Sequence, residues 1–180
     1  MTRIFVSALL TLGLASPGFA ADRGNLQLFH NVSRQVTRYA YFTIFDAVHA
    51  NVNAGVVTLT GKVTMPYKRD DIEKRVTKID GVRAVHDDIT VLPVSQFDDE
   101  LRYRIARSIY GNSNFWNYSV MPNPPIHIVV EHGRVTLTGV VGSNVDRMLA
   151  HSLATQFGAF SVTNALKTDA EVREALEKSE

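Results

Sequence analysis

One heptapeptide of this 180-residue chain occurs twice, for Val57-Thr-Leu-Thr-Gly-Lys-Val63 returns as Val135-Thr-Leu-Thr-Gly-Val-Val141 with a single substitution. The match extends on both sides. At the same offset Val48, His49, Val52 and Gly55 answer to Ile126, His127, Val130 and Gly133, and Arg69 answers to Arg147. After a one-residue deletion, Gly81, Val85, Asp87 and Ile89 align with Gly158, Val162, Asn164 and Leu166. A duplication on this scale constrains the fold more than composition does, because one small architecture must satisfy both halves.

Hydrophobic periodicity outlines that architecture. Asn25 to Phe42 reads as an amphipathic, moderately basic helix, with Phe29, Val32, Val36 and Tyr39 or Ala40 at spacings of three and four and Arg34 and Arg38 on other faces. From Ala47 the period becomes two. Val48, Ala50 and Val52, then Val57, Leu59 and Val63, mark one buried face of a hairpin that turns at Ala54-Gly55. Gly61, and Gly139 in the second copy, fall on that buried face and are expected to mark a bulge or the close approach of a helix backbone.

Pro66 opens a second helix with the stripe Ile72, Val76 and Ile79, closed near Asp80-Gly81. Its remaining charges, Lys68 to Asp71, Glu73 to Arg75 and Lys78, read as a solvated surface laced by short-range pairs. A strand from Arg83 to Val91 completes the unit.

The second copy repeats this order with a helix from Gln96 to Tyr110, a hairpin around His132-Gly133, a helix capped by Ser143 and Asp146, and a strand from Phe160 to Leu166. It also carries an insertion, Gly111 to Pro125, with the only tryptophan. The expected fold is therefore α+β: two tandem α-β-β-α-β modules, each a three-stranded sheet with two helices packed on one face.

The termini stand apart. Arg3, the apolar run Ile4 to Leu14 and the small residues up to Ala20 resemble a secretory signal, too short to span a membrane. The expected organisation is a signal at 1–20, modules at 21–93 and 96–168, and an acidic C-terminal helix at 169–180 opened by Thr168 and Glu171. With no cysteine, the mature chain has neither a disulfide nor a lipid-bearing cysteine, so a soluble periplasmic protein is expected.

Charge and motifs narrow the function. Without Arg3 the chain has 18 basic and 18 acidic residues, which argues against a nucleic-acid partner. The six histidines, His30, His49, His86, His127, His132 and His151, show no metal-binding spacing and read as surface or packing residues. No nucleophile elbow or phosphate loop occurs. Neither catalysis nor a cofactor or metal is expected.

The motifs Gly55-Val-Val-Thr-Leu-Thr-Gly61, Arg69 and Gly81-Val82-Arg83-Ala84-Val85, with Pro125 to Val130, Gly133 to Gly139, Arg147 and Val162-Thr-Asn164, resemble the BON domain of exported bacterial proteins. Two departures are visible: alanine follows Gly158, and Asp87 replaces a frequent asparagine. The resemblance implies attachment to anionic phospholipid, with roles in osmotic stress and envelope integrity. On that reading Arg102, Arg104 and Arg107 meet phosphates beside the interfacial aromatics Phe115, Trp116 and Tyr118, with Met121 nearby. A different reading makes the same loop the dock for an envelope protein partner, as in an adaptor or chaperone-like protein. A third has these aromatics seal a core or the seam between modules.

Overall fold

The computed structural model describes residues 17–177. The first unit comprises α1 (Pro17–Thr37), β1 (Ala47–Asn53), β2 (Val56–Val63), α2 (Pro66–Thr77) and β3 (Ala84–Val91). The second comprises α3 (Gln96–Tyr110), a 3-10 turn at Ser113–Phe115, α4 (Trp116–Ser119), β4 (Ile126–Glu131), β5 (Arg134–Val141), α5 (Asn144–Ala154) and β6 (Ser161–Thr168). α6 (Asp169–Glu177) follows. The expected signal at 1–20 lies outside the described residues except for 17–20, which begin α1.

The sheets run β1-β2-β3 and β4-β5-β6, each an antiparallel hairpin followed by a parallel crossover through a helix. Their registers are equivalent. Ala50 pairs Leu59 as Ile128 pairs Leu137, and Leu59 pairs Asp87 as Leu137 pairs Asn164. The one-residue deletion seen in the sequence is thus absorbed between the second helix and the last strand.

Each sheet buries one face under its two helices. Leu28, Val32 and Val36 of α1 meet Ile72 and Val76 of α2 over Val57, Leu59 and Ile89. Leu101, Ile105 and Ile109 of α3 meet Ala150 and Ala154 of α5 over Ile128, Leu137 and Leu166. The stripe on α1 is therefore Leu28-Val32-Val36 at strict spacings of four. Phe29, expected in that stripe, turns toward the second unit instead.

Three local expectations are corrected. The first helix ends at Thr37, not Phe42, and residues 38–46 form an aromatic strap whose Tyr39 drops back into the first core. Gly61 makes room for a strand: at φ +123°, a Cβ would lie 2.1 Å from the Ala47 carbonyl oxygen, and Gly139 stands likewise against Pro125. No helix backbone causes it. Finally, Lys68 is not solvated but 4% exposed, its ammonium 2.7 Å from the fully buried Asp46.

Asp46 organises the strap. Its carboxylate accepts hydrogen bonds from the backbone amides and hydroxyls of both Thr43 and Thr64, besides the Lys68 ammonium. Burial opposes its ionisation, yet Lys68 and these donors hold its carboxyl below the ordinary aspartate value. The strap so fixed reaches across to the second unit. The Ile128 amide donates to the Ile44 carbonyl at 2.7 Å, Phe45 packs edge-on against Tyr103, and Ala47, Leu92 and Val129 form a small shared core. Lys62 adds an ion pair to Glu131 at 2.8 Å. The first unit thus meets β4 of the second sheet through the strap, the start of β1, Lys62 and Leu92.

Candidate functional site

The three arginines expected to face phosphate do not share a surface. Arg102 is only 4% exposed; its guanidinium donates to the Val130 carbonyl at 2.6 Å and pairs with Asp99. It clamps helix α3 to strand β4, which removes it from any surface site. Arg104 is exposed and paired with Glu100 one helical turn away, whereas Arg107 is exposed with no carboxylate in ion-pair reach among the described residues.

The aromatic loop divides in the same way. Phe115 is fully buried in the second core, and Tyr118 stacks on it while its hydroxyl accepts the Gly142 amide hydrogen at 2.7 Å. These two seal the core, as the third sequence reading had it. Trp116, at 65% exposed, remains outside, as do Val120 and Met121 further along the insertion.

A stronger concentration of charge lies on the first unit. The groove between α1 and α2, of about 770 Å3, is lined by Arg34 of α1 and Arg38 just past its end, and by Lys74 and Arg75 of α2 and Lys78 at its C-cap. Arg34 and Arg38 are four residues apart, as are Lys74 and Lys78, so like charges adjoin at the C-terminal ends of both helices. Two carboxylates, Asp71 and Asp80, share the groove with the five cations. Of the acids at the groove, Asp71 is taken by the Tyr39 hydroxyl at 2.6 Å, and no salt bridge among the described residues involves any of the five cations. The expected lacework of pairs on α2 reduces to Arg69 with Asp70, extended loosely to Asp87 at 3.9 Å.

Apolar surface adjoins this groove. Arg75 lies 4.7 Å over the Tyr39 ring, Tyr39 packs edge-on against Tyr41, and Tyr41 against Tyr67 at the start of α2. Tyr41, Tyr67 and Met65 are all exposed. A cationic groove edged by amphipathic rings can hold phosphate groups in the groove and rest its rings in a headgroup layer. The sequence signal was present: basic residues at spacings of four on both helices, which must be neighbours once both cover one sheet face.

The glycines singled out from the sequence are structural. Gly55 and Gly133 have positive φ, as do the residues before them, Ala54 and His132, so both hairpins close through two-residue turns matched to strand twist. The buried Asp98 carboxylate accepts the amides of His132 and Gly133 at 2.8 and 2.7 Å. Gly81 also has positive φ, at +92°.

Of the histidines, His127 is not a surface residue. It packs against Phe42 in the seam between units, with its Nδ1 buried and without a hydrogen-bond partner. Burial pushes it below the ordinary histidine value, against the upward pull of the Asp46 and Thr43 backbone and the Asp46 charge; His49 pushes it further down. Among the described residues no group of three histidine, aspartate or glutamate side chains is arranged to hold a metal ion. No described helix is long and apolar enough to cross a membrane.

Comparison with known proteins gives one family. The model described as "BON domain" matches residues 34–93 and 114–170, one match in each unit. No curated protein matches the chain. Among solved structures, CdsD, a structural protein of the type III secretion system of Chlamydia trachomatis, is similar at 13% identity and a TM-score of 0.29, covering 83% of this chain and 97% of that one. The C-terminal domain of CdsD is similar at 13% identity and a TM-score of 0.29, covering 79% and 98%. A likeness so low carries no argument here.

Proposed function

This chain belongs to the BON-domain family, a non-catalytic and envelope-associated family, and from that premise we propose that it is a peripheral module for anionic phospholipid surfaces. The observation that carries the reading is the groove between α1 and α2, whose five cations outnumber its two carboxylates and form no salt bridge among the described residues. Uncompensated like charge costs the folded chain stability, and an anionic surface turns that cost into binding. Tyr41, Tyr67 and Met65 supply the apolar rim, while Arg104, Arg107 and Trp116 form a second, weaker contact on the other unit. Exported and freed of its signal, the protein works in the periplasm, where this binding supports envelope integrity under stress.

Co-sedimentation tests this directly. Vesicles containing phosphatidylglycerol should retain the full chain and release it as salt rises, whereas pure phosphatidylcholine vesicles should not. Equal binding to both, insensitive to salt, would overturn the proposal. A second reading, docking of an envelope protein partner, is favoured by the exposed apolar side chains Trp116, Val120 and Met121 of the insertion. Binding through those side chains would survive high salt.

A further inference from the structure

The two units touch through the strap and the Ala47-Leu92-Val129 core, and beside that seam they part to leave a cavity of about 560 Å3. One wall is α1, β1 and Phe42 of the strap; the other is the face of the second sheet turned away from α3 and α5, together with Val172 of α6. We propose that this cavity binds a single-chain amphiphile with an anionic head, its tail against Phe29, Val36, Phe42 and Val140 and its head at Lys167.

Several observations converge on that ligand class. The volume is that of a small-molecule site, and a boundary between domains is a common place for one. The lining is largely apolar, and apolar cavity walls favour an apolar guest over water. The polar groups include no acid: they are the hydroxyls of Ser33, Thr37 and Thr138, two histidines and one lysine. Lys167 has no ion-pair partner among the described residues. One unpaired cation beside an acid-free apolar chamber complements a carboxylate or phosphate on a hydrocarbon chain and excludes a cationic head. His127, its ionisation disfavoured by burial, keeps its part of the wall neutral near pH 7.

The site is distinct from the cationic groove, so the two can fail separately. The test is calorimetric titration of the full chain, below micelle-forming concentration, with dodecanoate, dodecyl phosphate and dodecyltrimethylammonium. Saturable binding is expected for one or both anionic probes, which tells a fatty acid from a monoacyl phosphate, and none for the cationic probe. Lys167→Gln should weaken anionic binding about tenfold, the loss of one charge-assisted hydrogen bond. Ala165→Trp, which fills the cavity from an exposed strand position, should abolish it while leaving vesicle binding unchanged. Lys167→Glu should reverse the head preference toward dodecyltrimethylammonium, and it requires no filling of the cavity. Absence of saturable anionic binding, undiminished binding to Ala165→Trp, or an unreversed preference in Lys167→Glu would each overturn the proposal.

Discussion

At the scale of residues, the repeat makes equivalent positions report on one another. Leu59 and Leu137 are both fully buried at the same register, so truncating either to alanine should cost about 2 to 5 kcal/mol in denaturant unfolding. Lys62→Ala removes only a half-exposed ion pair and should cost no more than about 1 kcal/mol. Asp46 is different because the second copy has no counterpart to it. Asp46→Asn leaves Lys68 buried without a counterion and should destabilise by about 3 to 5 kcal/mol, most of which a second change, Lys68→Met, should restore. Ala54, held at φ +48° in the first turn, offers the opposite sign: Ala54→Asn, suited to that left-handed position, should raise thermal stability by a fraction of a kcal/mol. The Asp87 departure also has a local consequence. Asn164 donates its side-chain amide to the Arg147 carbonyl of α5 at 2.9 Å, which an aspartate cannot do; Asp87 instead faces the Arg69 side chain.

At the scale of elements, periods of two and of four were enough to place the hairpins, α2, α3, α5 and the last strands. Ser143 and Thr168 cap their helices as the sequence indicated, Thr168 in a reciprocal box with Glu171. The strap at 38–46 was not legible. Its aromatics continue the apolar spacing of α1, and what breaks the helix there is tertiary: Tyr39 is wanted by the first core, Phe45 by the second, and Asp46 by Lys68. Burial of Arg102 and Phe115 was hidden for the same reason, since an arginine off the main stripe shows no sign that a neighbouring carbonyl will claim it. The strap also predicts an acid response. His127 is held below the ordinary histidine value, so it contributes stability above about pH 6.5 that falls away as pH drops below that point. Asp46, held below the ordinary value near 3.8, contributes stability that is lost only at still lower pH. Chemical denaturation across pH 4 to 8 should therefore show a decline beginning near 6.5, and His127→Phe should remove it. A decline unchanged in that variant would place its origin elsewhere.

At the scale of the whole molecule, the tandem fold could be read from one repeated heptapeptide, but the packing of its units could not. The first unit meets β4 of the second sheet through contacts that no periodicity encodes: a backbone hydrogen bond from Ile128 to Ile44 of the strap, a small core of three residues and the Lys62–Glu131 ion pair. The same limit misplaced the site. Read along the sequence, the cations of α2 alternate with acids; folded, Lys74, Arg75 and Lys78 join Arg34 and Arg38 across a groove that holds only Asp71 and Asp80 among the acids, Asp71 being bound by the Tyr39 hydroxyl. That groove is the central claim, and its most direct test is binding of the variant Arg34→Gln, Arg38→Gln, Lys74→Gln, Lys78→Gln to phosphatidylglycerol vesicles. At about 1 kcal/mol per cation, affinity should fall on the order of a thousandfold, with the fold intact by circular dichroism. Unchanged affinity in that variant, or a greater loss from Arg104→Gln with Arg107→Gln, would contradict it.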